Sequence, residues 1–209
     1  EIGVRLVGSE MCIRDSLDAY IQDALDAIEY AIGPETSKWG ALRVKNGHPK
    51  PFPLKYIEIG NEDFGPVYWE RYEKIYQALH RQYPDLIYIA NSIIGKENDD
   101  KRIDIAKFVN PKNVKVFDEH HYQPVEWACK QHYRFDNYER GIADLFVGEL
   151  GIDGKYPYNL LASGAVRMSL ERNGDLNPLL AERPVMRHWD FSEPVSYTHL
   201  RAHETDSYL

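Results

Sequence analysis

Short apolar runs alternate along this chain with segments in which apolar residues recur every three to four positions. The first pattern is typical of buried strands, and the second of helices that bury one face. Strands are predicted at residues 55–59, 86–94, 114–122 and 144–150, with partial patterns at 1–7 and 185–191. Helices are predicted at residues 17–32, 67–83, 103–109, 124–138 and 159–170, and a Pro- and Gly-rich loop at 34–53. This alternation indicates an α/β fold with a parallel sheet.

Two of the predicted strands lead into a glutamate. The strand at residues 55–59 is followed by Glu62, and the strand at residues 144–150 contains Glu149. The interval, 149 − 62 = 87 residues, suits three strand–helix units of a (β/α)8 barrel, which average roughly 30 residues each. Strands four and seven of one barrel would then carry one glutamate each at the end where barrels hold their reacting groups. Paired carboxylates of this kind carry out glycoside hydrolysis, whereas a single strand-end glutamate is more often a surface residue.

Side chains on a strand point alternately to its two faces, and this parity groups the other polar residues. Glu58 and Glu62 are expected on one face, with Glu58 one layer deeper, where a buried charge needs a partner. In a third strand, Asp118, His120 and Tyr122 share a face. The parity therefore makes His120 and Tyr122 candidates to face a ligand cleft. For His120, a purely structural role is the alternative.

Several motifs together resemble glycoside hydrolase family 51, the α-L-arabinofuranosidases. They are Ser37–Gly40, Asn46–Pro49, Lys55–Glu62 with Asp63-Phe64-Gly65, Asp118–Tyr122, Phe146–Glu149 and Leu170–Asn173. They occur in order over roughly residues 17–176, which makes the set more specific than any one motif. The resemblance implies an incomplete (β/α)8 TIM barrel, with strands four to seven, helix three and partial flanking units.

The resemblance also implies roles for five residues. Glu62 would be the general acid/base and Glu149 the nucleophile of a retaining mechanism, in which the two carboxyl groups lie about 5–5.5 Å apart. Asn61 would bind a sugar hydroxyl, Tyr122 would hold the nucleophile through its hydroxyl, and His120 would support the acid/base or the sugar. The implied reaction removes α-L-arabinofuranosyl residues from plant cell-wall arabinan or arabinoxylan by double displacement. The resemblance also allows a homo-oligomeric parent protein.

Composition and charge exclude several other classes of protein. A hydrophobic content of 43% and a charged content of 28% are ordinary for a soluble globular domain. The net charge of −8, without a basic stripe, argues against a nucleic-acid partner. No apolar run approaches the ~20 residues needed to cross a membrane, so no membrane partner is expected. The spacing of His120, His121, Cys129 and His132 matches no closed zinc pattern, and no metal or cofactor is expected.

The two ends of the chain differ from its middle. Residues 8–16 interrupt a strand-to-helix connection, and residues 195–209 show neither helical nor strand periodicity. Both resemble translated sequencing-adapter read-through, with a variable loop and a disordered tail as the alternative. We therefore expect a partial catalytic domain at residues 17–194, a strand remnant plus artefact at 1–16, and a non-native tail after 194. A fragment without the other barrel strands and an accessory domain is expected to have little or no activity.

Two other functions remain open at this level. One is another retaining barrel glycosidase of the endo-xylanase or endo-glucanase type, which shares the Asn-Glu arrangement. The other is a non-catalytic carbohydrate-binding fragment. The sequence around the first glutamate, together with residues 37–40 and 46–49, favours the arabinofuranosidase. Linkage preference, compartment and oligomeric state are not indicated by the sequence.

Overall fold

The computed structural model describes residues 2–6, 17–63, 65–95, 114–155, 157–176, 179–182, 186–187 and 201–202. The chain divides into two compact units. Unit 1 comprises Glu1–Ser92 and Asp104–Phe117, and unit 2 comprises Ile93–Ile103 and Asp118–Leu209. The predicted helix at 103–109 and the interruption at 8–16 lie outside the described residues, as does most of 195–209.

Unit 1 is built from parallel strands and helices that alternate along the chain. Its elements are β1 (Ile2–Leu6), α1 (Asp18–Ile32), α2 (Lys38–Lys45), β2 (Leu54–Ile59), α3 (Pro66–Gln82) and the first part of β3 (Ile87–Gly95). β2 lies between β1 and β3, and both pairings are parallel. The strands predicted at 55–59 and 86–94 and the helices predicted at 17–32 and 67–83 are therefore confirmed, as is the strand predicted at the start of the chain.

The two long helices of unit 1 bury apolar residues at helical spacing. On α1 these are Ala24, Ile28 and Ala31, and on α3 they are Tyr68, Tyr72, Ile75 and Leu79. Residues three and four positions apart share one face of a helix, so each helix buries a single stripe. α3 begins at Pro66, whose fixed φ and missing N–H suit the first helical position.

A helix that the sequence pattern did not predict, α2, lies inside the expected loop at residues 34–53. Ser37 caps it, because its side-chain oxygen accepts a hydrogen bond from the Gly40 N–H at 3.1 Å. A Cβ on Gly40 would lie 2.8 Å from the Ser37 Oγ, so the turn also requires glycine at this position. The prediction of a continuous loop is wrong there, since a capped helix of 8 residues has too few periods to show in a hydrophobic pattern.

Arg43, on α2, is fully buried and is satisfied by backbone carbonyls. Its Nη1 donates to the carbonyls of Tyr30 at 3.0 Å and Gly33 at 2.8 Å, and its Nε donates to His48 at 3.1 Å. Longer contacts reach the carbonyls of Ala31 and Pro49. The guanidinium thus joins α2 to the end of α1 and to the loop after α2.

Unit 2 repeats the alternation of strand and helix. Its elements are Asp118–Pro124 of β4 (Val116–Pro124), α4 (Val125–Ala128), a 3-10 helix (Arg134–Asn137), β5 (Asp144–Asp153), α5 (Tyr158–Arg172) and β6 (Leu179–Glu182). The order within this unit is β4-β5-β6, and β5 pairs with β6 in parallel. A separate antiparallel pair joins β7 (Met186–Arg187) to β8 (Arg201–Ala202). The parallel strand after α5 is therefore β6 and not the predicted segment at 185–191.

The core of unit 2 lies between β5, α5 and the segment after β4. Its buried members are Ala128, Phe135, Leu145, Val147, Leu150, Ile152, Ala162, Val166, Leu170 and Leu176. Trp127 is partly buried and packs against this cluster. Within the described part of the chain, every helix is too short or too polar to span a bilayer.

The predicted helix at 124–138 is wrong beyond its first turn. The chain forms α4 and then the 3-10 helix. Arg140 binds backbone carbonyls in the 3-10 helix and directly after it. Its Nη1 donates to the carbonyls of Phe135, Asp136 and Tyr138 at 3.2, 3.1 and 2.8 Å. Asp136 accepts hydrogen bonds from Arg172 on α5. These contacts with distant residues outweigh the local preference for helix.

Candidate active site

The loop that follows β2 carries Asn61 and Glu62 in a turned backbone. Gly60 has a φ of +96° and Glu62 a φ of +50°. Among the described residues, Glu62 alone has a positive φ without being glycine, a conformation that costs about 1–3 kcal/mol and is concentrated at functional sites. The extended alternation therefore stops at Ile59. The expectation that Glu58 and Glu62 share one face assumes a regular strand through residue 62. The strand ends at Ile59, so this alternation does not extend to Glu62.

The Tyr68 hydroxyl fixes the base of this loop. It donates to the Ile59 carbonyl at 2.8 Å and accepts from the Asn91 N–H at 2.9 Å, so it joins the end of β2 to β3. A Cβ on Gly60 would lie 2.8 Å from both the Asn91 Oδ1 and the Tyr68 Cε2. Gly60 is thus required by its backbone angle and by the space that these two side chains occupy.

Glu58 is buried one layer below and has the partner that the sequence required. The Asn91 Nδ2 donates to the Glu58 Oε1 at 2.8 Å. On the loop above, Asn61 is half-buried, and its Oδ1 has no hydrogen-bond partner among the described residues. An amide oxygen that is shielded from water in this way is an acceptor available to a ligand hydroxyl.

We expect an alkaline loss of stability that depends on Tyr68. Burial raises the pKa of this phenol well above its usual value, while the hydrogen bond from the Asn91 N–H lowers it. The unfolded chain therefore loses this proton first, and the stabilisation is present below about pH 10 and is lost as the pH rises further. Thermal unfolding of the full-length protein that contains this chain measures the effect.

The matched variants are Tyr68→Phe and Tyr133→Phe, since Tyr133 is 62% exposed. Tyr68→Phe should lower the melting temperature at neutral pH, because two backbone groups lose their partner at about 1–3 kcal/mol each. It should also make the decline above pH 10 shallower. Curves that fall in parallel for both variants would show that Tyr68 does not ionise on unfolding.

In unit 2, β4 shows the predicted alternation. The His120 Nε2 lies 2.7 Å from the Asp118 Oδ2, and the His121 Nε2 lies 3.2 Å from the Glu119 Oε2. Each histidine thus contacts the carboxylate two positions earlier, on its own face of the strand. All four side chains are buried. The parity that grouped Asp118 with His120 is confirmed.

Tyr122, the next residue on the Asp118 face, contacts the second glutamate. Its hydroxyl donates to the Glu149 Oε2. Glu149 is half-buried within β5, and the preceding Gly148 donates its N–H to the Asp118 Oδ1 at 2.7 Å. Two residues of β4 therefore hold Glu149, one through its carboxylate and one through the backbone before it. The sequence predicted the contact with Tyr122 but gave Asp118 no role.

The other face of β4 is occupied by packing contacts. Glu119 also accepts a hydrogen bond from the Tyr138 hydroxyl at 3.0 Å. The His121 ring stacks on Trp127 with a centroid separation of 5.6 Å. Cys129 and His132, which stood near His121 in the sequence, are both exposed. These contacts account for His121 as a structural residue.

Glutamates carried at strand ends in a fold of repeated β/α units are the defining features of the barrel glycoside hydrolases. The family model described as the α-L-arabinofuranosidase 1 domain matches residues 2–140. The chain therefore belongs to glycoside hydrolase family 51, the α-L-arabinofuranosidases.

Relatives by sequence support this membership. The chain is 37% identical over 177 residues to an extracellular exo-α-L-arabinofuranosidase of Streptomyces chartreusis, covering 84% of this chain and 21% of that protein. It is 33% identical over 172 residues to α-L-arabinofuranosidase 2 of Arabidopsis thaliana, covering 79% of this chain and 24% of that protein. The chain thus spans between about a fifth and a quarter of the length of these two relatives.

Solved structures agree on the fold. The arabinose-bound MgGH51 α-L-arabinofuranosidase matches with a TM-score of 0.69 and 27% identity, covering 88% of this chain and 30% of that one. An arabinose complex of the Thermotoga maritima α-L-arabinofuranosidase matches with a TM-score of 0.60 and 17% identity, covering 78% of this chain and 40% of that one. The fold is part of a (β/α)8 barrel, as the alternation of elements predicted.

Proposed function

We propose that this chain provides the catalytic glutamates of a retaining exo-α-L-arabinofuranosidase, which removes arabinofuranosyl residues from arabinan or arabinoxylan-type polysaccharides. The observation that carries the proposal is the hydrogen bond from the Tyr122 hydroxyl to the Glu149 carboxylate. A hydroxyl that donates to a carboxylate favours its ionised form and fixes the direction of its oxygens. Both are needed in a carboxylate that attacks carbon.

Glu149 acts as the nucleophile. One of its carboxylate oxygens forms a bond to the anomeric carbon of arabinofuranose while the bond from that carbon to the leaving oxygen breaks. The product of this step is an ester between the sugar and Glu149. Water then attacks the same carbon, the ester bond breaks, and the carboxylate is regenerated. The two inversions give net retention of configuration at the anomeric carbon.

Glu62 acts as the general acid and then as the general base. It gives its proton to the leaving oxygen in the first step and takes a proton from the attacking water in the second. The Tyr68 hydroxyl and the packing at Gly60 support this role, because they fix the loop that carries Glu62. A general acid must stay within hydrogen-bond reach of one oxygen, and a fixed backbone serves that need.

Asn61 and His120 supply contacts to the sugar. The buried Oδ1 of Asn61 would accept a hydrogen bond from a hydroxyl next to the reacting carbon. His120 is buried, and its Nε2 is held by Asp118. Its ring is therefore fixed in one orientation, and Nδ1 is the atom through which it would support the sugar or the acid/base. Hydrogen bonds to a sugar hydroxyl that strengthen in the transition state add to the rate.

The substrate class is tested with aryl glycosides and the full-length protein that contains this chain. Hydrolysis of an aryl α-L-arabinofuranoside should exceed that of the aryl β-xyloside and β-glucoside. The relatives named as arabinofuranosidases support this order. Preference for the xyloside or glucoside would instead favour the endo-xylanase or endo-glucanase type. Binding without turnover of any of them would favour a carbohydrate-binding role.

The acid role of Glu62 predicts that Glu62→Ala is sensitive to the leaving group. With a poor leaving group the variant should lose about 10²–10⁴-fold in kcat, the usual contribution of a positioned acid. With a nitrophenolate-type leaving group the first step should fall little, because that group departs without a proton. Glu70→Ala is the control, since Glu70 lies exposed on α3 and pairs across one helical turn with Lys74. Equal losses for good and poor leaving groups would remove Glu62 from this role.

A further inference from the structure

Asp118 is a buried carboxylate that takes no part in the bond-making and proton-transfer steps above. Its side chain is fully shielded from solvent. The Oδ1 accepts from the Gly148 N–H at 2.7 Å, and the Oδ2 lies 2.7 Å from the His120 Nε2. A buried charge is expensive unless hydrogen bonds stabilise it, so these two contacts are central to keeping Asp118 in place. One contact is with Gly148, which precedes the proposed nucleophile Glu149, and the other is with His120, a proposed sugar contact.

Gly148 and Asp118 occupy space that excludes any larger side chain. Gly148 is not one of the described glycines with a positive φ, so its backbone angle does not require glycine. A Cβ built on Gly148 would lie 2.7 Å from both the Cγ and the Oδ2 of Asp118. These distances are shorter than real Cβ contacts. The carboxylate of Asp118 therefore fills the position that a side chain at 148 would take.

We propose that Asp118 is a positioning residue that holds the nucleophile Glu149 through the Gly148 backbone and orients the ring of His120. The inference rests on the proposed function of Glu149. The Glu149 carboxylate accepts a hydrogen bond from the Tyr122 hydroxyl. The N–H of the preceding residue, Gly148, donates to the Asp118 carboxylate. Asp118 and Tyr122 lie four positions apart on one face of β4, so two points of the same strand fix the glutamate.

The contact with His120 also sets which ring nitrogen carries hydrogen. An ionised carboxylate can only accept hydrogen bonds, and Asp118 already accepts one from Gly148. With Asp118 as an ionised acceptor in both contacts, the His120 Nε2 is the donor to the Asp118 Oδ2. Replacement by Asn keeps an oxygen for the Gly148 N–H and presents an amide N–H₂ to the ring. The His120 Nε2 would then have to accept, and the hydrogen of the neutral ring would move to Nδ1.

Asp118→Asn and Glu119→Gln form a matched pair for the test in the full-length protein. Each replaces a buried carboxylate that contacts a histidine two positions later on β4, but Glu119 faces the packed side with Tyr138. Asp118→Asn should lower kcat about 10- to 100-fold, the range expected when a reacting group is misplaced, with a smaller change in KM. Glu119→Gln should change stability but leave kcat within about 2-fold. Similar kcat for both variants would overturn the inference.

The hydrogen on His120 gives a readout that a merely structural role would not move. Nitrogen NMR of the protein labelled at histidine distinguishes a protonated from an unprotonated ring nitrogen. The His120 signal, assigned with His120→Gln, should change from the Nε2–H form to the Nδ1–H form in Asp118→Asn. It should stay unchanged in Glu119→Gln. An unchanged His120 signal in Asp118→Asn would show that Asp118 does not determine which nitrogen of the His120 ring carries the hydrogen.

A second comparison keeps Asp118 itself and tests the steric part. Gly148→Ala should displace the carboxylate, lower kcat about 10-fold or more and lower the melting temperature. Gly164→Ala is its control, since a Cβ at Gly164 on α5 meets no atom within 4 Å, and Ala favours helix over Gly by about 1 kcal/mol. Equal behaviour of the two variants would also overturn the inference, even if Asp118→Asn failed to fold.

The outcomes separate this inference from the function on which it rests. If Glu149→Ala remains active, the proposed function fails, whatever Asp118 does. If Glu149→Ala is inactive while Asp118→Asn and Gly148→Ala keep the unmodified kcat, only the role of Asp118 fails. Loss of kcat in all three, with Glu119→Gln and Gly164→Ala unaffected, supports both.

Discussion

Glu149→Ala in the full-length protein is expected to lose turnover by roughly 10⁴-fold or more, as removal of the nucleophile does in other covalent enzymes. Without the carboxylate no glycosyl ester can form, and water would have to attack the anomeric carbon directly. Tyr122→Phe should lose less, about 10- to 100-fold, because a hydrogen bond to a charged group contributes about 1.5–3 kcal/mol. Initial rates on an aryl α-L-arabinofuranoside measure both.

Trapping of the intermediate separates the two glutamates. With an activated substrate, Glu62→Ala should accumulate a glycosylated protein whose modified peptide contains Glu149, detected by mass spectrometry. Glu149→Ala should accumulate none. Glu126→Ala, at an exposed position of α4, serves as the control and should keep its rate. Modification of a different carboxylate, or small and equal losses for both glutamates, would show that the nucleophile is another residue.

Arg43→Met should produce the largest loss of stability among single substitutions in unit 1. The guanidinium is fully buried and donates to the carbonyls of Tyr30, Gly33 and His48. Each carbonyl that stays buried without its donor costs about 1–3 kcal/mol. The expected result is a clear fall in the melting temperature, measured by calorimetry on the full-length protein.

Arg81→Met is the control for that loss, since Arg81 is exposed at the end of α3. It should change the melting temperature little, because its favourable interaction with the helix terminus is worth about 0.3–1 kcal/mol. Arg43→Lys should fall near Arg43→Met, because one ammonium cannot reach carbonyls that lie around a planar guanidinium. A melting temperature for Arg43→Met equal to that for Arg81→Met would contradict the account of the buried network.

Periodicity predicted the strands and long helices because burial decides those elements. α1 and α3 each bury one stripe, and β2 and β5 are short apolar runs. The hydrophobic pattern did not predict elements that depend on capping or on buried polar contacts. α2 depends on the Ser37 cap and the buried Arg43. None of these contacts produces a hydrophobic period.

The segment after β4 failed for a related reason. Residues 124–138 contain enough apolar residues to suggest one helix, but Arg140 binds three carbonyls of the segment and Arg172 binds Asp136. These partners lie outside the local window that a pattern covers. A contact between distant charged residues therefore replaced a helix with α4 and a 3-10 turn.

For the candidate site, parity was reliable only while the strand stayed extended. β4 is regular through Tyr122, and the contacts of His120 and Tyr122 agree with the predicted face. The backbone turns at Gly60, so the same reasoning does not extend to Glu62. The supporting role of Tyr68 could not be predicted, because its hydroxyl bonds to backbone groups whose positions depend on the packed strands.

The pairing of Gly148 with Asp118 constrains how related sequences can diverge. A larger residue at 148 meets the carboxylate of Asp118, so it can be accepted only after position 118 has become smaller. That order passes through a chain in which the Gly148 N–H has lost its acceptor, whereas the reverse order meets the steric clash. Homologues with a larger residue at 148 should therefore also carry a smaller residue at 118.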